Sequence, residues 1–595
     1  MTCGVKWISQ LLDAHSMAPR LKSSTKLLTI FAVFYLAAPK VFGEVKITGV
    51  ESPLLENVRA HLTLNQESCD APGWRVQQRR RDLDKQVKAA LQAFGHYQPE
   101  ISHQFSQNEK CWLLNLNITP GSAVMFRNVD IKIEDEPENM PLALQELFAA
   151  PRFTRNLQLN HQLYDNYKTA LMDTARALGY WQATFTKSTL AIYPEELAAD
   201  VYLHLYLGPR YRFGAYEFPE IYFDESLLHR LAEPVKGKYY SSEDVQETYS
   251  RLQGSDYFRQ VLVTPLVSDD KTDLVVPLQV DLALNNRHSF GAGVGYSTDQ
   301  GTRIRGDYRN RYLNTAGHNF GAFALWSQRL RQLSGLYRMP RRDAANEWLE
   351  FGAGYREEET TSYSTTNKST TARIITAMPH DWVMNVGLNI FNERYVIGDA
   401  PIDNKTLVIP GIGFSWSSAD ETARQNRGLR FEAGLTASHN HWKSDIDYLQ
   451  GYTRSKFVIA PTKKLRLISR FEIAGTLMDD FTDLPPSVRF FTGGDNSIRG
   501  YEYNSVGTVN ENGEVIGGGK LAVGSAELDY LLFKSWSVST FYDAGDAFDT
   551  EPELKTSWGV GARWYSPVGA LRLDIAFPQQ SENDYRIHLS VGADL

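Results

Sequence analysis

Past Asn285 the chain is written in twos. From there to Leu595, segments rich in Tyr, Trp, Phe and Gly alternate along their length and are separated by polar turns, with no helical period among them. A period of two sends successive side chains to opposite faces of a strand. In 535–545 one parity is Trp536, Val538, Thr540, Tyr542 and Ala544, and the other is Ser537, Ser539, Phe541, Asp543 and Gly545. In 571–577, Leu571, Leu573, Ile575 and Phe577 oppose Arg572, Asp574 and Ala576. The final segment repeats the pattern, with Tyr585, Ile587, Leu589, Val591, Ala593 and Leu595 against Arg586, His588, Ser590, Gly592 and Asp594. An apolar outer face and a polar inner face are the signature of a barrel that crosses a membrane on strands. A soluble β-sandwich also alternates. About 310 residues, however, exceed one sandwich, aromatic residues gather near segment ends, and the last strand reaches the final residue with an apolar face. At roughly 19 residues per strand and turn, 286–595 accommodates about sixteen strands.

The preceding stretch reads differently. From Glu44 to Asn285 helical and strand periods alternate, and three segments close on a similar phrase: Ala93-Phe94-Gly95-His96-Tyr97, Ala177-Leu178-Gly179-Tyr180-Trp181 and Ser255-Asp256-Tyr257-Phe258. In each, an amphipathic helix meets a Gly or small polar stop and an aromatic pair opens a strand. The turns Ile118-Thr119-Pro120-Gly121 and Tyr206-Leu207-Gly208-Pro209 separate the units. Three tandem α+β units of roughly 80 residues are expected, at 44–120, 121–209 and 210–285. Helices are expected at 54–64, 75–94, 164–178 and 243–252, the last capped by Ser241. The fold class is therefore α+β, then all-β: three small domains followed by a C-terminal transmembrane antiparallel β-barrel of about 16 strands.

Residues 1–43 have the order of a secretory signal: Lys22 and Lys26, the apolar run 27–38, then Val41-Phe42-Gly43 before Glu44. Either Met1 or Met17 serves as the start. Cleavage removes Cys3 and leaves Cys69 and Cys111, a disulfide candidate in an oxidising compartment or else two idle thiols. A net charge of −8 gives no basic excess for nucleic acid.

Enzyme signatures are missing: there is no GxSxG, HExxH, P-loop or CxxC. The chain is expected to be non-enzymatic, with no cofactor and no metal set. Gly291-Ala292-Gly293-Val294-Gly295 reads as the first barrel strand rather than a phosphate loop, because no helix follows. Gly517-Gly518-Gly519 reads as a mobile loop.

The most specific element is Gly493-Gly494-Asp495-Asn496-Ser497-Ile498-Arg499-Gly500-Tyr501, after an expected strand at 488–491. It resembles the Val/Ile-Arg-Gly-Phe/Tyr loop of the superfamily of outer-membrane assembly and two-partner-secretion barrels, whose members carry POTRA domains before the barrel. Phe541-Tyr542-Asp543-Ala544-Gly545 is similar to that family's second motif, and Ser566-Pro567-Val568-Gly569 with Leu571-Arg572-Leu573-Asp574 to its penultimate strand. Three POTRA-like units and the phrase Arg489-Phe490-Phe491-Thr492-Gly493-Gly494-Asp495 point to the translocation and assembly module branch.

Inside a lumen Arg499 needs carboxylates, since an unpaired buried charge is costly. Asp543 lies on the inward parity, and Glu527 shares a parity with Ser525 and Asp529. The loop is therefore expected to fold inward, with Arg499 bonded to Asp543 and Glu527, Ile498 beside it, Gly500 passing close to the wall and Tyr501 packing there. The alternative is an external loop with a solvated arginine.

The resemblance also implies a lateral gate between the first and last strands, at Gly291, Gly293, Gly295 and Gly592, although glycines also suit a crowded lumen. It implies an outer-membrane location with the POTRA units in the periplasm. The partners it implies are a TamB-like protein anchored in the inner membrane, unfolded outer-membrane clients and outer-membrane lipid. A passive or selective channel, or lipid transport between membranes, are the competing readings.

Overall fold

Each repeated phrase of the N-terminal half ends a helix in the same backbone conformation. Gly95, beyond helix Leu83–Gln92, has φ +85°, and Gly179, beyond helix His161–Ala177, has φ +90°. This left-handed position costs glycine nothing. After helix Ser242–Gly254 the position falls to Asp256, φ +64°, a residue type whose short polar side chain tolerates it. The phrase is also the joint between units. The Gly95 carbonyl accepts the N–H of Val124 at 2.9 Å, the Gly179 carbonyl that of Tyr211 at 2.9 Å, and the Tyr257 carbonyl that of Asn285 at 2.8 Å.

The computed structural model describes residues 43–592, apart from 108–110, 152, 269–272, 419–423, 567–568 and 582–583. The expected signal, with Cys3 and Met17, lies outside the described residues, as do Pro567, Val568 and the terminal residues through Leu595.

Three three-stranded sheets precede the barrel, each with two parallel strands and one antiparallel one. Their orders are Glu44–Thr48, Trp112–Thr119, Glu100–Gln107; Met125–Ile133, Ala198–Tyr206, Thr184–Tyr193; and Arg212–Glu217, Val275–Leu284, Phe258–Pro265. The last strand in sequence is central each time. Its inward parity, Leu114, Leu116 and Ile118 in the first unit, packs on Val87 and Leu91 of the covering helix. A disulfide joins Cys69 to Cys111 in this unit, across a sequence separation of 42.

The helix expected at 75–94 is broken into Gly73–Arg81 and Leu83–Gln92. The first piece carries Arg79, Arg80 and Arg81 and buries only Val76, whereas the second buries Leu83, Val87, Ala90 and Leu91. A bend at Asp82 lets the apolar piece lie on the sheet while the basic one stays at the surface. Helices Leu142–Ala149 and Glu225–Leu231 were not anticipated from the sequence.

Sixteen antiparallel strands close the barrel, from His288–Ser297 to Arg586–Gly592. Trp536, Val538 and Tyr542 are exposed outward and Ser537, Ser539 and Asp543 are buried inward, the two parities of one strand. Among the described residues no helix is long and apolar enough to cross a membrane. The wall crosses on strands instead.

The third unit is bound to the barrel turns. Phe223, Leu227 and Leu228 pack with Tyr312 and Ala344, the Tyr257 hydroxyl donates to the Gly317 carbonyl at 2.5 Å, and Arg251 bonds Asp343 at 2.7 Å. Arg309 and Arg311 both reach Asp256, at 2.9 and 3.1 Å.

Candidate functional site: the lumenal loop and the barrel seam

The connection 478–519, between strands Leu465–Leu477 and Lys520–Phe533, turns back into the barrel. Residues 488–491, expected as a strand, are not part of the wall. Val488, Phe490 and Phe491 are instead buried as packing for the loop, Phe490 against Leu521 and Phe491 against Tyr363. The Phe490 backbone exchanges bonds with Gly518 at 3.0 and 2.8 Å. This corrects the reading of Gly517-Gly518-Gly519 as a mobile loop. A Cβ at Gly518 would lie 2.4 Å from the Phe548 nitrogen, so two backbones meet there too closely for any side chain. Arg489 steadies the fold-back by donating to the carbonyls of Leu484 and Ile516, both at 2.9 Å, and of Thr482.

At the loop's tip Arg499 is 3% exposed. Its Nε and Nη2 form a fork on Asp543 at 2.8 and 2.9 Å, Nη1 reaches Glu527 at 2.7 Å and Asp574 at 3.3 Å, and its backbone N–H adds 3.1 Å to Asp543. The guanidinium lies 3.4 Å from the centroid of the Phe541 ring, a cation on a π face. Ile498 is fully buried. Gly500 has φ +98°, and a Cβ there would lie 3.2 Å from Pro578 of the wall. The Tyr501 hydroxyl donates to Gln580 at 3.2 Å.

The structure thus brings Ile498, Arg499, Gly500, Tyr501, Asp543 and Glu527 into one cluster, and it adds members that sequence reasoning missed. Arg563 bonds Glu527 at 2.9 Å and also Asp574. Arg470 lies 4.0 Å from Asp543. Arg470, Arg499 and Arg563 balance Glu527, Asp543 and Asp574, which is the condition under which so many charges tolerate burial. Asp574 was legible as an inward residue; Arg563 lies in a strand whose parity was not read.

The other notable geometry is where the barrel closes. Neighbouring wall strands pair over long registers, His288–Ser297 with Gly301–Asn310 along its whole length. Between the first strand and the last, Ser297 opposite Ser590 is the one registered pair among the described residues. Thr298 donates to the Leu589 carbonyl at 3.1 Å, and Arg303 to the Val591 carbonyl at 3.0 Å. Phe290 and Val294 of the first strand are 78% and 85% exposed. Gly291, Gly293 and Gly295 lie beside this seam on the opposite parity: Gly291 faces Asp307, Gly295 faces Arg303, and Gly293 faces open space. Gly592 pairs away from the seam, with Ala570.

Loop and seam touch. Gly500 N–H donates to His588 Nε2 at 2.9 Å, His588 Nδ1 bonds Asp495 at 2.5 Å, and Thr298 donates to Asp495 at 2.8 Å.

Comparison with known proteins accords with this geometry. The Omp85 superfamily domain matches residues 284–594, more than half of the chain. The chain belongs to the Omp85 superfamily. The first POTRA domain of TamA matches 44–120. Among Omp85 relatives, the outer membrane protein assembly factor BamA of Nitratidesulfovibrio vulgaris is 26% identical over 387 residues, 61% of this chain and 48% of that protein. Outer envelope protein 80, chloroplastic, of Arabidopsis thaliana is 30% identical over 155 residues, 24% of this chain and 19% of that one. The chain thus spans about half the length of that BamA. In fold it is similar to the crystal structure of BamA from Haemophilus ducreyi lacking POTRA domains 1-3, with TM-score 0.65 and 16% identity over 79% of this chain and 99% of that one.

Proposed function

We propose that this Omp85 barrel is TamA, the outer-membrane subunit of a translocation and assembly module, and that it inserts or secretes proteins such as autotransporters through a lateral gate. The observation that carries the reading is the seam, where one registered pair among the described residues stands against seven or more between the other neighbouring wall strands. Unpaired backbone groups at such an edge accept a client strand by β-addition. The match of the first unit to the first POTRA domain of TamA, and the naming of the BamA relative as an assembly factor, favour assembly. The second and third units, of the same strand order, act as further POTRA domains in the periplasm and bind a TamB-like partner. The protein is non-enzymatic. A lumen occupied by loop 478–519 argues against a passive channel. The test is depletion followed by comparison of the outer-membrane proteome and lipids. Loss of specific barrels or autotransporters supports the reading, whereas altered lipid flow with intact proteins overturns it in favour of lipid transport.

A further inference from the structure

We propose that Lys368 and Arg394, at the rim of an apolar groove on the outer face of the barrel wall, bind an anionic, phosphate-headed lipid, one of whose acyl chains fills the groove.

The groove has a volume of about 530 Å³ and crosses strands Leu330–Pro340, Glu347–Glu359, Tyr363–Met378 and Trp382–Ile397. Residue size creates it. Gly335, Ala353 and Thr370 stand opposite one another in register, on the outward parity, while Ser334 and Ser369 beside them are buried. The row on one side carries Leu333 and Tyr355, and the row on the other carries Tyr337 and Phe351. Small residues between bulky ones leave a trough, and Ile390, paired with Thr370, closes its end.

Lys368 belongs to the same row as Leu333 and Tyr355 and lines the groove. Arg394 is its diagonal neighbour on the next strand, one row further out. Diagonal neighbours lie about 7–8 Å apart, so two long side chains can meet on one anion. Both are exposed, and among the described residues neither forms an ion pair or a hydrogen bond. Glu357, diagonal to Lys368 on the other side, is already bonded by Arg331 at 3.2 Å and by the Tyr355 hydroxyl.

Depth decides the occupant. On strand Trp382–Ile397 the outward parity is apolar through Trp382, Met384, Val386, Leu388 and Ile390, then polar at Asn392 and Arg394. The turns that carry Tyr312 and Ala344 pack on the third N-terminal unit at the opposite end of the strands. The two cations therefore lie where the apolar band stops, at headgroup depth in the leaflet remote from the N-terminal units. A neutral wall needs only acyl chains around it. Two unpaired cations at that depth need an anion, and lipid phosphate is the one that arrives with a chain attached for the groove.

The site does not depend on the assembly reading, and no client enters its test, so the two fail separately. The full chain, delipidated in non-ionic detergent, is titrated with phosphatidylglycerol or with phosphatidylcholine of the same acyl chains, and bound lipid is counted by native mass spectrometry. We expect one saturable phosphatidylglycerol, weakened about fivefold by Lys368→Gln or Arg394→Gln and about thirtyfold by both, down to the level of phosphatidylcholine. Ala353→Phe fills the groove from an exposed position and should weaken binding with both cations in place. Inorganic phosphate at equal concentration should not displace the lipid, since it leaves the groove empty. Heat-modifiable migration identifies the folded variants, and the wild-type preference between the two lipids decides the matter if a variant does not fold. Equal retention of both lipids by wild type, undiminished binding in the double variant or in Ala353→Phe, or displacement by equimolar phosphate overturns the site.

Discussion

Replacing Arg499 by Ala should undock the lumenal loop. The substitution removes both fork bonds to Asp543 and the bond to Glu527. Glu527 and Asp574 keep Arg563, so the stranded charge is Asp543, fully buried and left with the residue 499 backbone N–H at 3.1 Å, Ser525 at 2.6 Å and Arg470 at 4.0 Å. Breaking one side of a buried pair costs about 3–5 kcal/mol. That lowers the docked-to-undocked ratio by roughly two to three and a half powers of ten. Arg499→Lys keeps the charge and loses the fork, so it should fall between. Adding Asp543→Asn to Arg499→Ala should restore part of the loss by removing the stranded charge. Hydrogen exchange of loop amides, including the Arg499 N–H bonded to Asp543, reads the undocking in the purified protein. Wild-type exchange and wild-type heat-modifiability in Arg499→Ala would refute the reasoning.

Three further outcomes are expected. Cys69→Ala with Cys111→Ala should destabilise the first unit by about 2–5 kcal/mol, seen as earlier proteolysis of 44–120 with the barrel intact. His161, bonded to Tyr97 across the first joint at 2.7 Å, is held below its ordinary pKa by burial, against an opposing pull from Asp165. Its contribution to the joint is therefore complete above the ordinary histidine value and is lost as pH falls through the depressed one; pH-dependent exchange at the joint should vanish in His161→Gln. Arg251→Ala, which loses Asp343 at 2.7 Å and Glu233 at 3.4 Å, should loosen the third unit from the barrel, read as faster exchange at Gly317 and Ala344.

The wall and its strand number were legible because a period of two, sustained over a membrane-sized region, has few other solutions. The helix stops at Gly95 and Gly179 were legible for a backbone reason, and Asp256 filled the same place in disguise. Two features misled. The stretch Val488-Arg489-Phe490-Phe491 has the composition of a strand, yet its burial comes from packing inside the lumen. Gly517-Gly518-Gly519 has the composition of a spacer, although its glycines permit backbone contact with Phe490 and Phe548. The partners of Arg499 were inferable from parity, because a strand declares which side chains face inward. The meeting of Asp495 and His588 was not, since residues about 90 positions apart share no spacing that a motif captures.

The central claim is that the seam between the first and last strands opens for clients. Ser297 and Ser590 are registered opposite each other, and residues so placed in an antiparallel pair have Cα atoms about 4.5–5.5 Å apart, within disulfide range. Ser297→Cys with Ser590→Cys should therefore crosslink on oxidation, and in reconstituted membranes the oxidised form should stop client insertion while each single variant retains it. Full insertion activity through a quantitatively crosslinked seam would contradict the account.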